Sequence, residues 1–169
     1  IGPLARPLAQ PIAKSLLAGA GGGSSASLDI RASVGTSTSP TSTGTKAVTG
    51  VGFQPKVVLD AGTILTASLA DVGLALGFGA ALSTSSRAAI SVSSQNAVTT
   101  SATARFHSAA KIFNPLFDGS TYQSADLSSM DADGFTRNWT TVDPSNRILN
   151  HICLGGADLE VSLVQCQMN

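Results

Sequence analysis

"TILTASLADVGLALGFGAAL", residues 63 to 82, is the stretch whose reading decides the fold. It is nearly as long as a membrane-spanning helix, which needs about 20 apolar residues. Asp71 interrupts it, however, and Gly73, Gly77 and Gly79 would weaken any helix. From Val72 onward large and small residues alternate. Val72, Leu74, Leu76 and Phe78 fall on one side, and Gly73, Ala75, Gly77 and Gly79 on the other. Period two specifies a strand. The small residues leave one face of that strand nearly bare, so a neighbouring layer or subunit can approach closely.

Working outward from this strand, short candidate strands recur with turn chemistry between them. They are "SLDIRASV", "KAVTGVGF", "PKVVLDAG", "RAAISVS", "NAVTTSATARFH", "AKIFNP", "YQSADLSSM", "FTRNWTTV", "RILNHICLGG" and "LEVSLVQ". Helix signals are absent. The spacing predicts an all-β fold, an antiparallel β-sandwich of jelly-roll-like form. "MDADGF" predicts a hairpin with Asp133-Gly134 at its turn. The same string hints at a calcium loop, but the bidentate glutamate that such a loop needs downstream is missing. In "FTRNWTT" the residues Phe135, Arg137 and Trp139 share one face, and Trp139, the sole tryptophan, is the expected core anchor. In "RILNHICLGG" both faces are substantially apolar, which fits a central strand.

Three zones divide the 169 residues: an extended arm over 1–23, a Ser/Thr-rich connecting segment with a first strand over 24–50, and a β-sandwich domain over 51–169. The arm repeats a four-residue unit, with Pro3, Pro7 and Pro11 each followed by Leu4, Leu8 or Ile12, then Leu16 and Leu17, then "GAGGG". Each proline pushes its predecessor out of the α region, so the arm is extended or irregular. The prolines also break the uninterrupted apolar run of about 7–15 residues that a signal peptide requires, so the segment is expected to stay on the chain. The arm is either an unstructured tail or a segment that orders against a partner. Its regular apolar residues favour the second reading.

Charged residues make up 12% of the chain and cancel to zero net charge. That balance provides no electrostatic footprint for nucleic acid or an anionic membrane, and no membrane insertion is expected. A surface so poor in charge has little to keep copies apart, and a homo-oligomer is expected. Cys153 and Cys166 could form one disulfide or remain two buried thiols, and nothing else in the chain argues for an oxidising compartment. His107 and His151 are too isolated to suggest a metal site. No nucleophile elbow, phosphate loop, zinc spacing or dinucleotide fingerprint occurs, so neither an enzyme nor a cofactor is expected.

Four stretches resemble a group of bacteriophage and prophage virion structural proteins: "GFQPKVVL" (52–59), "LGFGAALS" (76–83), "DADGFTRNW" (131–139) and "RILNHICLGG" (147–156). The Pro-Leu-Ala-Arg repeats followed by glycines are similar to the N-termini of such proteins. The resemblance implies a virion component assembled in the bacterial host cytoplasm, with the major capsid protein or another virion protein as partner. The leading expectation is a capsid decoration or cement protein, a homotrimer anchored by Pro3, Leu4, Pro7, Leu8, Pro11, Ile12, Leu16 and Leu17. The alternatives are a tail or connector component and a tail- or head-fibre adhesin that binds a cell-surface glycan. For the adhesin, the loops "STSSR" (83–87) and "NPLFDGSTY" (114–122) would supply contacts, with Phe117, Asp118 and Tyr122 the first candidates.

Overall fold

The structure is a computed structural model, and it describes residues 27–65, 74–94, 103–117 and 120–163. The arm residues Pro3 to Leu17 lie outside this set, as do Asp118 and Cys166. The strands in chain order are β1 (Arg31–Thr38), β2 (Gly44–Thr49), β3 (Pro55–Gly62), β4 (Leu74–Ala81), β5 (Arg87–Ser94), β6 (Thr103–Ser108), β7 (Leu116–Phe117), β8 (Ser120–Thr121), β9 (Ser124–Asp131), β10 (Gly134–Thr141) and β11 (Ile148–Gly155).

The protein is an all-β antiparallel sandwich. One sheet has six strands in the order β1-β11-β3-β4-β5-β6, and the facing sheet has three in the order β2-β10-β9. The run from β3 to β6 stays in one sheet as a meander, while the chain crosses between layers from β1 to β2, β2 to β3 and β10 to β11. The Ser/Thr-rich passage therefore supplies one strand to each sheet. The apolar "RILNHICLGG" strand, β11, lies between β1 and β3 inside the larger sheet.

Period-two patterning sets the core. Phe135, Arg137 and Trp139 on β10 all point inward and are essentially fully buried. Trp139 meets Phe113 edge-on, with ring centroids 6.2 Å apart, and Leu127, Leu149, Val58 and Cys153 complete the cluster. Burying such side chains contributes about 1.5–3 kcal/mol each. The β9–β10 hairpin pairs Asp131 with Gly134, so Ala132 and Asp133 form the turn and Gly134 opens the strand. Glycine is required there: its φ is +148°, and a Cβ would sit 1.9 Å from the Val48 carbonyl oxygen. Both carboxylate oxygens of Asp133 accept backbone N–H bonds, from Gly50 at 3.0 Å and Gly52 at 2.6 Å. The aspartate thus ties the hairpin to the β2–β3 loop.

Two expected strands form no strand among the described residues. "AKIFNP" makes only an isolated bridge between Phe113 and Ala125, and crosses the inner side of the large sheet as an irregular segment with Ile112, Phe113, Asn114 and Pro115 buried. Pro115 has no N–H for a ladder, and the segment fills the space left by the glycines of β4. Residues 159–163 of "LEVSLVQ" also join no ladder, and the carbonyls of Ala157 and Leu159 instead accept from Lys56 Nζ.

Candidate functional site

The small-residue face of β4 points into the protein. A Cβ on Gly79 would lie 1.8 Å from the Ile112 carbonyl oxygen, and one on Gly77 would lie 3.2 Å from the Phe113 ring and from Pro115. The bare face is where the 112–115 segment packs. Consequently the large residues of the same strand, Leu74, Leu76 and Phe78, face solvent and are 42–49% exposed.

Strand pairing extends this inverted arrangement across the sheet, because directly opposed residues share a face. One outward row runs Val34–Ile152–Leu59–Ala80–Ala88. The next runs Thr36–Asn150–Ala61–Phe78–Ile90–His107. A third includes Leu76, Val92 and Arg105. Val34 is 76% exposed, Ile90 56% and Ile152 41%. Among the described residues, these three rows carry no aspartate, glutamate or lysine, and Arg105 on the β6 edge is their one full charge; the exposed Lys56 lies beyond them, beside the bulge at the start of β3. Single exposed apolar residues are ordinary, but a contiguous set of them on one flat face marks an interaction surface.

The inner side holds a buried polar cluster with a different role. Arg137 on β10 donates to both oxygens of Asp60 on β3, at 2.8 and 2.6 Å, and to Ser37 Oγ on β1 at 3.1 Å. Its guanidinium also lies 4.6 Å from the centre of the Phe135 ring. The pair therefore clamps the two sheets together. His151 stands edge-on to Phe135 and abuts Gly35, and burial, then the Arg137 charge, lower its pKa against the opposing pull of Asp60. Cys153 is a free thiol, and its burial pushes the pKa up to about 11. A neutral thiol sealed in the core is no nucleophile. The cluster is structural.

The candidate ligand loops are largely committed to the fold. Ser83 Oγ accepts from the N–H groups of Ser85 and Ser86, closing the 83–87 turn on itself. Asn114, Pro115 and Leu116 are buried. The Tyr122 hydroxyl accepts from Arg147 Nη2 at 2.7 Å, and the same guanidinium lies over its ring and holds Asp143 at 2.5 Å. The side chain of Phe117 and the whole of Asp118 lie outside the described residues. Of the three candidates Tyr122 is therefore the one whose side chain is described, and the grouping of Phe117, Asp118 and Tyr122 lies outside the described residues. Sequence reasoning missed the outward face on which Val34 and Ile152 form one row and Phe78 and Ile90 the next. The alternation in each strand was visible, but not the strand order that brings the rows together.

No protein-family model matches the chain, and neither a curated protein nor a solved structure is detectably similar to it.

Proposed function

We propose that the chain is a non-enzymatic virion structural protein, a decoration subunit of a bacteriophage capsid. The observation that carries this reading is the outward face of the six-stranded sheet, which presents Val34, Leu76, Phe78, Ile90 and Ile152 to solvent with almost no charge to keep other surfaces away. A sandwich built this way is stable as a fold and incomplete as a surface, which is the property of an assembly subunit. The N-terminal arm adds a second attachment. The described chain that follows it in sequence leads into the edge strand β1 through Leu28 and Ile30, which are both well exposed. The arm's Leu4, Leu8 and Ile12 would anchor it to the major capsid protein or another virion protein. Prolines reduce the conformational freedom lost when such an arm docks.

The test is the copy number of the chain per purified particle, measured by quantitative mass spectrometry against the major shell protein. A simple ratio to shell subunits is the expected result. A dozen copies or fewer would place the chain in the tail or connector instead, and complete absence from particles would end the reading.

A further inference from the structure

We infer that the outward face of the six-stranded sheet is closed by the same face of a second copy, related by a two-fold axis parallel to the strands. This inference rests on the reading of the chain as an assembly subunit. It differs from the trimeric closure expected from the sequence in naming a face, a symmetry and a register.

The register of side-chain sizes carries it. The seam between β3 and β4 divides the sheet into halves of three strands, β1-β11-β3 and β4-β5-β6. In the first outward row the large residues Val34, Ile152 and Leu59 lie on one side of the seam, and the small residues Ala80 and Ala88 on the other. In the second row the order reverses: Thr36, Asn150 and Ala61 lie on the first side, and Phe78, Ile90 and His107 on the second. A two-fold axis lying between two stacked faces, along the seam, exchanges the halves at constant height. Leu59 then lies over Ala80 of the second copy, Ile152 over its Ala88, and Phe78 over its Ala61. Large residues meet small ones at these three places, which lets stacked sheets interdigitate, while in the third row Val92 lies over Ile148 as a contact between two large apolar residues. The seam positions lie nearest the axis and keep their alignment despite the crossing angle of about 30° between stacked sheets.

Charge selects the same axis. Arg105 and His107 both sit on β6 at the edge of the sheet. The seam-parallel axis brings β6 over β1, whose outward residues Ala32, Val34, Thr36 and Thr38 are uncharged. An axis across the strands would stack β6 on β6 and bring the Arg105 side chains of the two copies toward each other.

The extent of the face is of the right order. Six strands spaced by about 4.8 Å, each about 25 Å long, present on the order of 600 Å² before side-chain relief is counted. Standard stable interfaces bury about 800 Å² per partner.

The experiment is sedimentation velocity of the full chain over a range of concentrations, repeated with Phe78→Glu. Phe78 is 43% exposed, so the substitution leaves the core intact. A dimer is expected, weakened at least ~100-fold by the variant because each dimer loses two buried aromatic contacts. A second measurement does not depend on that variant. In a Cys166→Ser background, Ile152→Cys combined with Ala88→Cys should give a covalent dimer with a short bis-maleimide, and each single variant should not. A chain monomeric at every concentration, whether covered by its own arm or awaiting a different protein, would overturn the inference. So would a trimer, a dimer indifferent to Phe78→Glu, or failure of the paired cysteines to link. The two readings fail separately. A monomer abundant on particles removes the two-fold contact and spares the decoration role, whereas a Phe78-dependent dimer absent from particles does the reverse.

Discussion

Replacing Asp60 by alanine should be among the most damaging single changes in this protein, although no exposed residue is touched. The Arg137 and Asp60 side chains are 2% and 0% exposed, and they exchange two short hydrogen bonds between the sheets. Without the carboxylate, the guanidinium keeps only Ser37 Oγ and the face of Phe135 as partners, in a place water does not reach. Stranding a buried charge in this way costs about 3–5 kcal/mol. For a chain of this size roughly 2–4 °C of melting temperature accompanies each kcal/mol, so the midpoint should fall on the order of 10 °C. Removing both charges together, as in Asp60→Leu with Arg137→Met, strands nothing and should cost markedly less than the single change. Urea unfolding followed through Trp139, the one tryptophan and a core residue, measures both variants at a fixed protein concentration. An Asp60→Ala variant that loses less than about 1 kcal/mol would refute the reasoning, as would a double variant no more stable than the single one.

Two further outcomes follow from the packing. Gly79→Ala should destabilise by at least about 2 kcal/mol, since its Cβ would collide with the Ile112 backbone carbonyl at 1.8 Å; chemical denaturation reads this directly, and a neutral effect would mean that the 112–115 segment does not lie on β4. Stability should also fall with pH through His151. Its pKa is lowered in the folded protein, chiefly by burial, so the unfolded chain takes up the proton first. The contribution is intact above the unfolded value of about 6.5 and is lost as pH drops from there toward the folded value. Denaturation midpoints between pH 7.5 and 5 should decline in the parent chain and decline less in His151→Gln. Parallel curves would exclude this histidine as the source.

Much of the fold is legible in local patterning, because a strand with one buried face alternates. β3 begins and ends where "PKVVLDAG" does, and Phe135, Arg137 and Trp139 share the buried face their spacing specifies. Alternation identifies two faces without saying which is inside. On β4 the larger side chains face out, and only the crossing of the 112–115 segment over Gly77 and Gly79 decides it. That segment reads as a strand because it is apolar, yet it is buried as a filler and not as part of a ladder. The interaction surface was still less legible. Val34, Ile152 and Leu59 become neighbours because β1 and β11 add to β3 from opposite ends of the chain. Such long-range pairing leaves no local trace. The Arg137–Asp60 clamp is hidden for the same reason, as 77 positions separate its partners.

The central claim, that the outward apolar face is buried when the protein does its work, is tested most directly by hydroxyl-radical footprinting of the full chain, free at low concentration and assembled on particles. Oxidation of Leu76, Phe78 and Ile90 should drop several-fold on assembly, while Leu127 and Trp139, buried in both states, should stay low and unchanged. Equal oxidation of Phe78 and Ile90 in the free and assembled chain would contradict the claim, because the face would then stay open to water where it is expected to be covered.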